Sequence, residues 1–230
     1  MVVDHVQDGV TVTVTLQRIA KRNAIDDTVR KALRCILVHG PDPVSRLLVL
    51  RAQGSIFSSG NDLEMLGGAA ARGRVGLAEQ QVKDLRLLHD LFAYPLPTMA
   101  VLQGPVYGYA ADIVASCDWV IATPTATFHW PEWRYGIVAS GTALQRLGPA
   151  FLWQGMSEGV TAEVALAGGL VNELVDCESV DKSLRARTEW VEQLPEGVYQ
   201  AWRAGVLDLR RRPASLWSRL PGLWAPGETE

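Results

Sequence analysis

Lysine is scarce in this chain of 230 residues: there are four among 22 Lys and Arg, and 25 Asp and Glu leave a net charge of −3. No basic run occurs apart from Arg210-Arg211-Arg212. Both absences argue against a nucleic-acid partner. Cysteine is equally sparse. Cys35, Cys117 and Cys177 are widely separated and lie in or beside apolar stretches, which excludes a disulfide framework and predicts reduced, buried thiols. His5, His39 and His89 have no metal-ligand spacing, so no zinc or iron site is expected. An amino-terminal apolar core of the secretory kind is missing too, because Asp4, His5 and Asp8 occupy its place. The longest uncharged stretch, Leu91 to Ala111, approaches membrane-spanning length. Pro95, Pro97, Gly104, Pro105 and Gly108 divide it into strand and turn. A soluble cytoplasmic protein without a membrane partner is the expectation.

What is present is ample apolar content, 48%, enough for the core of one large domain. Val10 to Leu16 alternates Val and Thr, the period of a half-exposed strand. Asp26 or Asp27 caps a predicted helix through about Val38, with Val29, Leu33, Ile36 and Leu37 near helical spacing, and Pro41-Asp42-Pro43 ends it. A buried strand follows at Leu47 to Arg51, then a Gly/Ala/Arg segment, Gly67 to Gly76, that reads as mobile. The spacing of Val82, Leu85, Leu88 and Leu91 predicts a helix over Glu79 to Phe92 with those four on its apolar face. Strand Met99–Leu102, helix Ala110–Ser116 and strand Trp119–Ala122 continue the alternation of a parallel α/β unit.

Two of these segments share a design: an apolar strand runs into a glycine turn and then a helix start. One is Leu47-Leu48-Val49-Leu50 leading to Phe57-Ser58-Ser59-Gly60-Asn61-Asp62-Leu63. The other is Thr98 to Gly104 leading to Gly108-Tyr109-Ala110-Ala111-Asp112. Glycine permits the sharp turn, and the first N–H groups of the following helix lack internal partners. Such donors attract anions.

These residues resemble the enoyl-CoA hydratase/isomerase (crotonase) superfamily. Phe57 to Leu63 is similar to its phenylalanine-x-serine-glycine-x-aspartate-leucine segment, and Leu102-Gln103-Gly104 through Cys117-Asp118 to its glycine-rich helix entry. Leu16-Gln17-Arg18 with Lys21-Arg22-Asn23-Ala24-Ile25 resembles the amino-terminal block. Pro131-Glu132, Gly136 and Gln145-Arg146-Leu147 resemble the next, and Gly168 to Glu173 the last. The resemblance implies an α/β fold of the ClpP/crotonase kind, built from repeated ββα units with carboxyl-terminal helices. It also implies a core over residues 1–180 and a helical or irregular region over 181–230 that makes oligomer contacts, in a homotrimer or hexamer.

Residue by residue, the resemblance places the oxyanion-hole amides at Asn61 and Tyr109 and the acid/base carboxylates at Asp112 and Glu132. Arg18, Lys21 and Arg22 become candidates for the phosphates of coenzyme A. The substrate is then an acyl-CoA or an acyl-carrier-protein thioester, with coenzyme A or phosphopantetheine as part of it, no permanently bound cofactor and no metal. Three departures mark this chain: Asp112 stands where hydratases usually carry Glu, Tyr109 and Ala110 replace glycines, and Ser140 falls where dienoyl-CoA isomerases carry a further Asp. The readings that follow are a hydratase or dehydratase, a double-bond isomerase, and a non-catalytic partner subunit in a biosynthetic pathway. Phe128, Trp130, Trp133 and Tyr135 around Glu132 are read as an acyl-pocket lining, a desolvating shell for Glu132, or core and trimer contacts. His129 is read mainly as structural. Trp217, Leu220 and Trp224 in the proline-interrupted tail are expected to pack on another subunit or on the pocket rim.

Overall fold

Leucine- and valine-rich strands form a mixed sheet with helices against both faces. The computed structural model describes residues 2–135, 151, 153–195 and 197–203. Met1–Glu192 forms one compact unit and Gln193–Glu230 a second. Strands β1 (Val3–Asp8), β2 (Thr11–Leu16), β3 (Leu47–Ala52), β4 (Thr98–Leu102), β6 (Trp119–Ala122) and β9 (Glu173–Leu174) make one sheet in that spatial order. Only the β1–β2 pair is antiparallel. A smaller sheet joins β5 (Val106–Tyr107), β7 (Thr127–His129) and β8 (Val160–Thr161).

Strand β3 reads as an unbroken apolar run because both of its faces are covered. Leu48 and Leu50 join the larger core with helix α1 (Asp27–His39), helix α3 (Gly73–Phe92) and helix α4 (Tyr109–Ala115). Leu47 and Val49 face the other way, with Met99, Val101 and Ile121, onto Val180 and Val191 of the helix Val180–Glu192. In β2 the alternation holds: Val12, Val14 and Leu16 are buried while Thr13 and Thr15 are half-buried. Helix α1 starts where expected, with the Asp26 carboxylate accepting from the Val29 N–H at 2.8 Å.

The structure corrects the sequence expectation in three places. The segment Gly67 to Gly76 is helical, divided between α2 (Leu63–Ala71) and the start of α3. Asp62 caps α2 by accepting from Glu64 and Met65, and the Ala69-Ala70-Ala71 run outweighs the glycines. On α3, Val82 and Leu85 are each 46% exposed, whereas Gln80 and Asp84 are buried. The buried side of α3 is set by what it meets, including the buried arginine Arg30 of α1. Finally, only Cys117 is buried. Cys35 and Cys177 are free but exposed.

Candidate active site

The two glycine turns lie side by side. Ser58 and Val106 form a parallel bridge, the Phe57 N–H donates to the Pro105 carbonyl at 3.0 Å, and the Tyr107 N–H donates to the Ser58 carbonyl at 3.0 Å. Gly60, at φ 79°, passes so close that a Cβ there would stand 2.6 Å from the Tyr107 carbonyl oxygen and 3.4 Å from the Tyr109 nitrogen. Only glycine permits that approach.

The amino-terminal block straps the first turn in place. Arg22 and Asn23 both adopt positive φ, and their stretch exchanges main-chain bonds with the turn: Ser59 N–H to the Arg22 carbonyl and Ile25 N–H to the Gly60 carbonyl. The Asn23 side chain donates to the Gln53 and Ile56 carbonyls, and the buried Ser58 hydroxyl donates to the Asn23 carbonyl while accepting from the Gly60 N–H. The main-chain N–H groups of Asn61 and Tyr109 donate to no acceptor among the described residues.

Glu132 arrives through strand pairing. Parallel β5 and β7 set Tyr107 opposite His129, and the Gly108 N–H donates to the His129 carbonyl at 2.7 Å. The 3₁₀ turn Pro131–Tyr135 then folds the Glu132 carboxyl back onto Gly108, whose φ of 52° and bare Cα leave room for it. A Cβ on Gly108 would sit 2.5 Å from Glu132 Oε1. Burial pushes the Glu132 pKa up to about 7, and the neighbouring Asp112 adds to the rise. Its Oε2 is buried without a hydrogen-bond partner among the described residues. Asp112, in the first turn of α4, is 1% exposed.

Four of the seven expected residues are therefore neighbours: Asn61 and Tyr109 on adjoining turns, Asp112 on the helix that Tyr109 begins, and Glu132 against Gly108. Arg18, Lys21 and Arg22 lie beside the start of α2. Arg18 is held by Asp62 at 2.7 Å and Asp26 at 3.1 Å, and exposed Lys21 by Glu64 at 2.9 Å. Arg22 is exposed. The Tyr109 ring is buried, and its hydroxyl donates to the Asp84 carbonyl at 2.7 Å. Phe128 and Trp130 belong to the core, while Trp133 is 51% exposed. His129 stacks on Tyr107 with ring centroids 4.8 Å apart. Gly136, Ser140, the block Gln145-Arg146-Leu147, Trp217, Leu220 and Trp224 lie outside the described residues, as does the Tyr135 side chain. Sequence reasoning missed Asn23, Ser58, Arg30 and Asp84. The signal for Asp84 was an acid placed between apolar positions of α3.

The arrangement offers two main-chain donors on adjacent turns that are unengaged among the described residues, a buried aspartate and a glutamate that titrates near neutrality. A sequence profile of the enoyl-CoA hydratase/isomerase family matches residues 6–212. The chain belongs to that family. A Rhodobacter capsulatus relative named "Probable enoyl-CoA hydratase" is 29% identical over 229 residues, covering 95% of this chain and 87% of its own. "Enoyl-CoA hydratase domain-containing protein 3, mitochondrial" of Rattus norvegicus is 27% identical over 206 residues, 86% of this chain and 67% of its own. Among solved structures, an enoyl-CoA hydratase from Shewanella pealeana superposes with a TM-score of 0.85 at 19% identity, covering 96% of this chain and 89% of that one. That likeness establishes the crotonase fold. No helix among the described residues is long and apolar enough to cross a membrane.

Proposed function

We propose that this family member is an acyl-thioester enzyme that adds water to, or removes it from, an α,β-unsaturated thioester carried on coenzyme A or on a carrier-bound phosphopantetheine. The observation that carries the reading is the Glu132 carboxyl, titrating near 7, lodged against the glycine that precedes the unengaged Tyr109 amide. In this mechanism the Asn61 and Tyr109 N–H groups receive the thioester oxygen as negative charge develops on it. Loss of one such donor costs about 3 kcal/mol of barrier. Asp112 holds the water and takes its proton as oxygen bonds to the β-carbon; protonated Glu132 delivers a proton to the α-carbon. One O–H bond of water breaks, C–O and C–H bonds form, and the enolate collapses to the saturated thioester. Glu132 is refilled from the proton that Asp112 collected.

An isomerase reading is favoured by the pairing of Asp112 with Glu132, which resembles the acid pair of dienoyl-CoA isomerases; Glu132, titrating near 7, can take a proton from one carbon and return it to another without water. Incubating crotonyl-CoA and longer or aromatic enoyl-CoAs in heavy-oxygen water separates the two: label uptake means hydration, bond migration without label means isomerisation. Asp112→Asn and Glu132→Gln are each expected to lower kcat/KM by about 10²–10⁴-fold. Full activity in both would end the acid/base assignment, whereas no turnover of any CoA or carrier-bound thioester, alongside tight binding to another protein, would favour the partner-subunit reading.

Lys21 and Arg22, exposed beside the first turn, are assigned to the phosphates of the carrier arm, with Arg18 bracing the turn from Asp62 and Asp26. Replacing Lys21 and Arg22 together by Ala should raise KM for a CoA thioester and leave that for the matching N-acetylcysteamine thioester, which has no phosphate, unchanged. Equal effects on the two thioesters would remove this assignment.

A further inference from the structure

Asp84, on the buried side of α3, reaches both residues that carry the unengaged amides. Its Oδ2 accepts from the Asn61 side-chain amide at 2.8 Å, and its main-chain carbonyl accepts from the Tyr109 hydroxyl at 2.7 Å. Its Oδ1 accepts from Arg30 Nη2 at 2.7 Å and from Gln80 Nε2 at 3.0 Å. Arg30 Nη2 also donates to the Asn61 side-chain oxygen at 3.0 Å, so the Asn61 amide is gripped by both members of the ion pair. Arg30, Gln80, Asp84 and Tyr109 are all buried. On its other side, residue 61 is fixed by the bridge to Ile25.

A buried ion pair adds little net stability over an apolar pair of the same size, because desolvation consumes the Coulomb gain. Here the desolvation is visible: burial raises the Asp84 pKa despite its three polar partners. What the network does supply is geometry. Asn61 and Tyr109 stand on separate turns, and a donor pair acts on one oxygen only if both hold position to about 0.5 Å.

We infer that Asp84, braced by Arg30 and Gln80, is a positioning residue that sets the spacing between the main-chain donors of Asn61 and Tyr109; the inference rests on the oxyanion reading proposed above. It accounts for two residue choices the glycine turns do not require, a long phenol at 109 and a side-chain amide at 61.

The test uses the full chain and two readouts, steady-state turnover of an enoyl-CoA and the absorbance of bound trans-cinnamoyl-CoA, whose conjugated carbonyl red-shifts when polarised. Asp84→Leu is expected to lower kcat about 10–100-fold, since small misplacements at a reacting centre have effects of that order. KM should change less than about threefold, and the red shift should shrink. Asn61→Ala and Tyr109→Phe each cut one tether while leaving the Arg30–Asp84 pair intact. Each should lower kcat and the red shift to a smaller degree; Asn61→Ala should add nothing in the Asp84→Leu background, whereas Tyr109→Phe, which cuts the bond to the main-chain carbonyl that Asp84→Leu retains, should add to it. Should Asp84→Leu fail to fold, these two variants decide the matter alone. Variants that lower only the unfolding midpoint, with kcat and the red shift kept, would overturn the inference and leave the oxyanion reading standing. A wild-type protein that binds the probe without any red shift would overturn both.

Discussion

In the unfolded chain the Glu132 carboxyl ionises near its ordinary 4.5; in the fold it ionises near 7. Between those values the unfolded state has released a proton that the folded state retains, so stability falls as pH rises and levels off once the folded carboxyl also ionises. The whole difference is about 3 kcal/mol, present below the unfolded pKa and lost above about pH 7. Glu132→Gln should therefore raise the unfolding free energy much more at about pH 8.5 than at about pH 5, measured by urea titration; an equal gain at both would contradict the burial argument. The same group enters turnover. With protonated Glu132 as acid, hydration should decline as pH passes about 7, and the Glu132→Gln profile should lose that limb. A persisting limb would point to another titrating group.

The elements show how differently two glycines work. At Gly60 an added methyl would strike the Tyr107 main-chain carbonyl, which the bridge between the turns holds in place. Gly60→Ala should cost about 3 kcal/mol of stability through overpacking and positive-φ strain together. At Gly108 the methyl would meet the far end of the Glu132 side chain, which can move aside. Gly108→Ala should cost less stability but displace the carboxyl and lower kcat by about 10²-fold. Thermal unfolding and turnover of the two variants, measured side by side, would expose a reversed order.

Much of this was legible from residue order alone. The period of β2, the apolar run of β3, the Asp26 cap and both strand–glycine–helix turns depend on near neighbours, and near neighbours are what a sequence displays. Strand β1 was not read, since Asp4, His5, Gln7 and Asp8 leave it almost no apolar face, and the small sheet of β5, β7 and β8 was not, since two- and three-residue strands carry no period. The inward side of α3 was misread for a related reason. Asp84 and Gln80 face inward only because Arg30, far away in the chain, arrives there with its charge. A helix pattern records hydrophobicity, and it does not record which polar group will find a buried partner. The Glu132–Gly108 contact likewise needs the β5–β7 register before it can be inferred.

At the scale of the whole molecule, Trp133, Trp153 and Trp190 are 51%, 79% and 55% exposed. The trimer or hexamer that the family resemblance implies would cover such indoles if they form one contiguous apolar patch. Sedimentation or light scattering of the full chain is expected to give three or six times the 25.1 kDa of one copy. A stable monomer at micromolar concentration would remove the oligomer proposal. The similarity findings belong at this scale as well: a TM-score of 0.85 accompanies only 19% identity with the Shewanella structure, so the path of the backbone persists where most side chains differ.

The donors at residues 61 and 109 are peptide nitrogens, and a peptide nitrogen has no codon of its own. Every amino acid except proline supplies one, so substitution at either position keeps the donor itself and loses at most the side chain that aims it. Selection then acts only on whatever aims the nitrogen. A site built this way can exchange the side chains around its reacting centre, and with them its proposed acyl preference, while both donors stay in place.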